Sequence, residues 1–218
     1  MRLTPKKIIV AGVLITVSTL ALYQIFSIKS SVQKTLAETQ ARLETQTHVP
    51  FEKKVLKPHL SQNVQILQNS NATRDFVKFR GFYFAATSGG LVQYTEDGKL
   101  MKHFTVLDGL PESDLTALIT WKDTLYIGTR TNNLVTFDGE TFENYVWKDR
   151  KAQAVTSFLD ADGKLLIGTF DGGLMDFDGK NFTEIRADDK RISAIISLYK
   201  DGAKLYVGTF DKGLWIYQ

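Results

Sequence analysis

The chain contains no cysteine, and this absence excludes several classes of protein. Disulfide scaffolds, thiol catalysis, zinc–thiolate sites, iron–sulfur clusters and a cysteine-linked lipid anchor all require that residue. Proline is also scarce, with 4 residues against 16 glycines, which suits many tight turns and argues against a collagen-like chain. With 218 residues, 43% of them hydrophobic, the chain is long enough for one packed domain and an appendage.

The sequence also lacks an excess of basic residues outside its N-terminus. Residues 1–29 contain four of the 27 basic residues and no acidic residue, so the rest of the chain has 23 basic and 24 acidic residues. The formal net charge of +3 therefore belongs to the N-terminus. Because nucleic-acid binding requires a basic surface, we expect no nucleic-acid partner.

An uncharged apolar segment occupies residues 8–28. As a helix it would span a hydrocarbon core of roughly 30 Å. Basic residues precede it at Arg2, Lys6 and Lys7, and such a flank stays in the cytoplasm. We predict that residues 1–28 are a cytoplasmic N-terminus and a single transmembrane anchor, and that the bulk of the chain faces outward.

Two alternatives to an uncleaved anchor remain open. A cleaved signal peptide would use the poor cleavage site Thr19-Leu20-Ala21. The segment could also be a buried helix of the globular domain. The residues that follow, 29–47, are good helix formers without glycine or proline, and they predict that the helix continues out of the membrane as a stalk.

Prolines at positions 50 and 58 would end that helix. The sequence therefore predicts a linker over residues 48–62, so that residues 29–62 form the stalk and linker. The remaining residues, 63–218, form the predicted globular domain.

A repeat of forty residues fills this domain. Three segments of closely similar sequence have their glycines 40 residues apart, and a weaker fourth copy precedes them; the segments are Leu125–Thr129, Leu165–Thr169, Leu205–Thr209 and Phe82–Thr87. Each unit contains short apolar strand patterns separated by turn signals such as Asp162-Gly163. Repetition at a fixed period of this length is typical of solenoids and propellers.

The strand patterns are apolar on successive residues, as in Leu165-Leu166-Ile167. A sheet packed on both faces requires such residues, whereas a sheet wetted on one face alternates. The sequence therefore predicts an all-β fold, a β-propeller of four blades of about 40 residues. An open sandwich is the competing interpretation.

Two columns of the repeat indicate backbone requirements. Before a repeated leucine stand Gly90, Asn133, Gly173 and Gly213, and asparagine is the residue other than glycine that best tolerates the left-handed region. Small residues recur at Ala86, Gly128, Gly168 and Gly208. We expect the second column to allow close approach of neighbouring backbone.

Three ways of completing the ring remain open. The fourth unit contains three strand patterns, and Val64–Leu67 could supply its outer strand and close a four-bladed ring. The chain could instead be a shortened copy of a larger propeller. Alternatively, two copies could pair as a homodimer with eight blades.

The motifs Gly109-Leu110-Pro111, Asp162-Gly163-Lys164-Leu165, Gly168-Thr169 and Gly172-Gly173-Leu174 carry a family resemblance. Over roughly residues 75–218 the chain resembles the two-component regulator propeller repeat family, found in outward-facing sensor regions of bacterial hybrid histidine kinases. The resemblance implies a bacterial inner-membrane protein whose C-terminal domain faces the periplasm or exterior.

No catalytic or metal-binding constellation emerges from the sequence. The three histidines, at positions 48, 59 and 103, lack the spacing of a metal site, and the Asp-Gly pairs occur singly rather than as a calcium loop. We therefore predict no enzyme activity, metal or cofactor.

Turns that follow each Gly-Thr pair are the candidate binding rim, because their side chains differ between repeats at one fixed place. The candidate residues are Arg130, Asn132, Phe170, Asp171, Phe210, Asp211 and Lys212. Phe170 and Phe210 could form an apolar patch, or could pack between blades. The alternative is that these are merely tolerant turn positions.

Three functions are compatible with these features. The sequence favours a membrane-anchored extracytoplasmic propeller that binds a protein or small ligand without catalysis. A sensory module that signals through a separate membrane partner is the first alternative. A propeller enzyme such as a lyase is the second, but the blades contain too few histidines to support it.

Overall fold

The structure is a computed structural model that describes residues 24, 26–35, 48–58, 70–148, 153–187 and 190–217. By its internal contacts the chain divides into two units, Met1–Thr47 and His48–Gln218. In the first unit, residues 26–35 are helical. Within the described ranges, no helix combines the length and apolar character that a bilayer span requires. Most of the predicted anchor and stalk, residues 8–47, lies outside the described residues.

The second unit begins with two strands that run along the outside of the blades. They are β1 (His48–Val49) and β2 (Phe51–Leu56). β1 pairs with the outer strand of the third blade, and β2 pairs with that of the second blade. We call residues 48–56 the outer strap.

Each blade is an antiparallel meander. The first blade consists of β3 (Thr73–Phe79), β4 (Phe82–Thr87), β5 (Gly90–Tyr94) and β6 (Leu100–Phe104). A 3₁₀ turn at Val106–Asp108 follows it. The second blade consists of β7 (Leu115–Trp121), β8 (Thr124–Thr129), β9 (Leu134–Phe137) and β10 (Phe142–Trp147).

The third and fourth blades repeat this plan. The third consists of β11 (Val155–Ala161), β12 (Lys164–Thr169), β13 (Leu174–Phe177) and β14 (Phe182–Ala187), with the short β15 (Lys190–Arg191) paired to β14. The described part of the fourth consists of β16 (Ile195–Asp201), β17 (Lys204–Thr209) and β18 (Leu214–Tyr217). The prediction of an all-β, four-bladed, propeller-like arrangement is confirmed.

The hydrophobic core lies between successive blades rather than within one blade. One cluster joins the first two blades through Phe84 and Ile127, a second joins the second and third through Tyr126 and Ile167, and a third joins the last two. The innermost strands contact one another in series, from β3 to β7, β11 and β16. Among the described strands, no comparable contact joins β16 to β3. The predicted closing strand, Val64–Leu67, lies outside the described residues.

The left-handed column is a backbone requirement, as predicted. Gly90, Asn133, Gly173 and Gly213 all have positive φ, and the asparagine has φ 66°. Asn133 also links two blades, because its Oδ1 accepts a hydrogen bond of 2.7 Å from the backbone N–H of Gln153 in the next blade.

Gly128 provides the close approach expected of the second column. A Cβ on this residue would lie 2.9 Å from the carbonyl oxygen of Val155 in the third blade. The threonine that follows each small residue also has a repeated role: Thr129 Oγ1 donates to the carbonyl of Asn133, as Thr169 Oγ1 does to that of Gly173. These bonds fix the hairpin that leads into the third strand.

Residues 48–56 differ from the predicted linker. They form the outer strap because Val49 is buried and the ring of Phe51 packs on those of Tyr145 and Phe182, with centroids 5.5 and 4.9 Å apart. Charged residues in the middle of β2 stay exposed, so the sequence pattern resembles a polar linker. Pro50 does not break the pairing, because its carbonyl accepts a hydrogen bond from the N–H of Lys148.

Candidate binding site

A β-bulge interrupts the innermost strand of every blade. In each case the pairing register skips one residue, and these residues occupy the same place in the four repeats. They are Arg74, Thr116, Thr156 and Ile196. Because a bulge redirects a side chain and is common beside binding sites, this column marks where the blades could present a ligand site.

The four bulged residues line one cavity of about 380 Å³. Loop and strand-end residues at the same end of the blades complete its wall. The full lining is Arg74, Thr116, Arg130, Ala154, Thr156, Phe170, Asp171 and Ile196. Since every blade contributes its innermost strand, we call this cavity the axial mouth.

Side chains of the bulged residues also fasten each blade to the next. Arg74 Nη1 donates to the carbonyl of Leu115 at 2.6 Å, and Thr156 Oγ1 donates to that of Ile195 at 2.6 Å. Thr116 Oγ1 donates in the same way to the carbonyl of Val155. The fourth member of the column, Ile196, has no donor in its side chain. Arg74, Thr116 and Thr156 thus both line the mouth and bond neighbouring blades to each other.

Two arginines hold one carboxylate at the edge of the mouth. Arg130 Nε lies 2.5 Å from Asp114 Oδ2, and Arg74 contacts the other carboxylate oxygen. Partial burial opposes ionisation of Asp114, but the hydrogen bonds and charges of the two guanidinium groups outweigh it and lower the pKa of this carboxyl. Asp114 therefore keeps both arginine side chains oriented.

The structure brings three of the seven predicted site residues into the mouth, namely Arg130, Phe170 and Asp171. Phe210 lies beside them, with its ring centroid 6.1 Å from that of Phe170 and 72% of its surface exposed. Because both rings are solvent-accessible, they form a shared apolar surface on adjacent blades.

The other predicted residues lie outside the cavity lining. Asn132 Nδ2 donates to Glu112 at 3.2 Å, and Lys212 Nζ contacts Ser193 Oγ at 2.8 Å. Asp211 is exposed in the turn before β18. These contacts fix the shapes of the turns that surround the mouth.

The bulged column itself was not predicted from the sequence. Alternation along a strand cannot reveal which residue a bulge redirects, and arginine, threonine and isoleucine share no chemistry. The available signal was positional, because Thr116, Thr156 and Ile196 are 40 residues apart, in register with the glycine column.

Histidine and acidic residues do not gather into a metal site within the described part of the chain. His103 lies in β6, where its ring Nε2 is 2.9 Å from the carbonyl oxygen of Gly89. His48 is exposed in β1, and His59 lies outside the described residues.

Comparison with known proteins relates the chain to solved propellers. No family model matches the sequence, and no curated protein matches it. The extracellular domain of a putative hybrid two-component system from B. thetaiotaomicron superposes with a TM-score of 0.58 at 17% identity, covering 78% of this chain and 23% of that chain. A second such domain from that organism has a TM-score of 0.56 at 27% identity, and the match covers 67% of this chain and 21% of that chain.

The chain shares the propeller fold of these extracellular domains. It spans about a fifth of the length of those solved chains. The expected resemblance to propellers of two-component systems is confirmed as a similarity of structure.

Proposed function

We propose that this protein is a membrane-anchored, extracytoplasmic β-propeller that binds a protein or small ligand at the axial mouth without catalysis. The observation that supports it is the convergence of the four bulged residues on one cavity. A propeller assembles a site in this way because each blade supplies one equivalent position. The fold alone would not specify a function.

The chemistry of the mouth suits an amphipathic ligand. Arg74 and Arg130 offer guanidinium N–H groups, while Phe170 and Ile196 offer apolar surface. Such a mixture of apolar walls and a few fixed polar groups is typical of binding cavities. The pairing with Asp114 restrains both arginines before a ligand arrives, which reduces the entropy lost on binding.

Photo-crosslinking in living cells tests this proposal because it captures whatever molecule occupies the mouth. A photoreactive phenylalanine analogue replaces Phe170 in the full chain, and the same analogue replaces Val55 in a control. Val55 is exposed on the outer strap and is not among the residues that line the mouth. We expect a discrete adduct from position 170 and none from position 55. Equal labelling at both positions, or no adduct at 170, would contradict the proposal.

The membrane anchor belongs to the same proposal. Residues 8–28 would cross the bacterial inner membrane once, with Arg2, Lys6 and Lys7 in the cytoplasm. A reporter enzyme that is active only outside the cytoplasm, fused after Gln218, should be active. An inactive reporter in a stable, full-length fusion would exclude this topology.

Signalling through a separate membrane partner is the second candidate. The observation that favours it is the structural similarity to extracellular domains of putative two-component systems. Replacing residues 8–28 by an unrelated transmembrane helix would abolish copurification of a histidine kinase if that helix carries the contact. Retention of the kinase by the exchanged chain would argue for contact through the propeller.

A further inference from the structure

The fourth blade exposes a face that is buried in the other three. We call the face that each blade turns toward the next blade in sequence its forward face. One leucine occupies the same position on every forward face. In the first three blades this leucine, Leu91, Leu134 or Leu174, is fully buried, whereas Leu214 is 63% exposed.

Neighbours of Leu214 on the same face are exposed as well. Ile216, two residues along β18, and Tyr199, on β16, are both more than half exposed. The Tyr199 ring lies 6.0 Å from that of Tyr206 on the adjacent strand. Together these residues form a continuous apolar surface, which a monomeric protein seldom leaves open.

The first blade has the complementary exposed face. We call the face turned toward the preceding blade the backward face. Phe76 is 70% exposed and Tyr83 is 38% exposed, whereas their equivalents in the second blade, Leu118 and Leu125, are buried. Phe76 and Tyr83 line a groove of about 340 Å³ on this face.

Each internal interface joins a forward face to a backward face. The forward face of the first blade, with Phe84 and Leu91, packs on the backward face of the second, with Leu125 and Ile127. The two exposed faces are the remaining members of this series. Among the described strands, the innermost strands of the first and fourth blades lack the contact that joins the other neighbours.

We propose that a second copy of this chain covers these faces. The fourth blade of one copy packs on the first blade of the other, and a twofold axis repeats the contact, so that two arcs of four blades complete one ring of eight. A head-to-tail contact forms a closed assembly when its rotation closes, and eight blades lie within the range of propellers. This inference goes beyond the binding role.

The same arrangement would complete the axial mouth. Ile196 lies at the end of the bulged column and has no donor for a following blade. In the paired ring, Ile196 would face the first blade of the second copy, and this junction would be held by apolar contact instead of a side-chain hydrogen bond.

The absence of cysteine permits a direct cross-linking test. Two full-length variants, Leu214→Cys and Tyr83→Cys, each carry a single thiol. The two variants are mixed in detergent, left until their chains have exchanged between dimers, and then treated with a short bis-maleimide. We expect cross-linked dimers that contain one copy of each variant. Light scattering of the unaltered chain should give twice the mass of one chain.

Matched controls make the test decisive. Leu214→Cys alone should give little cross-linked dimer, and Val55→Cys, exposed but on the outer strap, should give none with either variant. Leu214→Lys should shift the mass to a single chain, whereas Val55→Lys should not. A further variant carries both Leu214→Cys and Tyr83→Cys in one chain. A monomeric mass for the unaltered chain, or cross-linking that occurs only within one chain of this double variant, would overturn the proposal. The second result would indicate a four-bladed ring closed within one chain.

Discussion

Gly128 shows how a single missing methyl group sets the distance between two blades. A Cβ at this position would approach the Val155 carbonyl and Thr116 Oγ1, each at 2.9 Å. The carbonyl belongs to the backbone of the neighbouring blade and cannot rotate away. The glycine of the repeat is therefore a spacing element, and its role was predictable from the recurrence of small residues in one column.

Gly128→Ala should destabilise the propeller by about 1–3 kcal/mol, the usual cost of overpacking a tight interior. Urea unfolding of the full chain in detergent measures this difference. Gly163→Ala is the comparison. Gly163 lies in a turn where a Cβ would meet no atom within 4 Å, and its φ is +79°. The substitution should cost about 1 kcal/mol through backbone strain alone. An unchanged free energy of unfolding in Gly128→Ala would refute the close-approach account.

Asp114 should make the free energy of unfolding depend on pH. The two arginines lower its pKa in the folded state, so the folded protein binds this proton less readily than the unfolded chain does. The stabilisation is fully present above the unfolded value of about 3.9 and is lost as the pH falls through the lower folded-state pKa.

The comparison of the unaltered chain with Asp114→Asn isolates this effect. The difference in free energy of unfolding between the two proteins should be constant from pH 7 to about 5 and should shrink below about pH 4. Urea unfolding across this range measures it. A difference that stays constant down to pH 3 would show that Asp114 is not held by the arginines.

At the scale of elements, the blades were predictable from the repeat, whereas the outer strap was not. Leu165–Ile167 has the pattern of a strand buried on both faces, and Asp162-Gly163 has that of a turn. The local residue pattern and the repeat therefore predict the same strand and the same turn. The strap lacks such agreement, since the exposed lysines of β2 interrupt its apolar pattern. Its position is determined by the unpaired edge of β10, which no local sequence pattern near residue 51 can reveal.

Phe51→Ala tests whether the strap stabilises the blades. Its ring contacts Tyr145 of the second blade and Phe182 of the third, so removing it should cost about 2 kcal/mol. Val55→Ala on the same strand is the matched control, and because Val55 is exposed it should change stability by less than about 0.5 kcal/mol. Equal effects of the two substitutions in urea unfolding would mean that the strap does not join the blades.

The candidate site was predicted only in part, again for a structural reason. Arg130, Phe170 and Asp171 were accessible to sequence analysis because loops that vary between repeats mark a rim. Thr116 and Thr156 were not, because their inward position depends on a bulge in a strand. Glu112, which fixes the loop of Asn132, was likewise unpredictable from spacing, since it belongs to a separate turn of the blade.

At the scale of the whole molecule, the arrangement of blades joins spacing and recognition. Hydrogen bonds from the bulged side chains tie each innermost strand to the next. The same side chains line the axial mouth. A change that alters the angle between blades should therefore also alter the mouth, and ligand binding should stabilise the series of blades through mass action.

The affinity of the species captured at position 170 shows whether the axial mouth is a binding site. Isothermal calorimetry would compare the unaltered chain with Phe170→Ala, Asp171→Asn and the control Val55→Ala. We expect at least a tenfold weaker affinity, about 1.4 kcal/mol, for one or both mouth variants, and an affinity within twofold of the unaltered chain for the control. Undiminished affinity in both mouth variants, with the fold intact by circular dichroism, would contradict it.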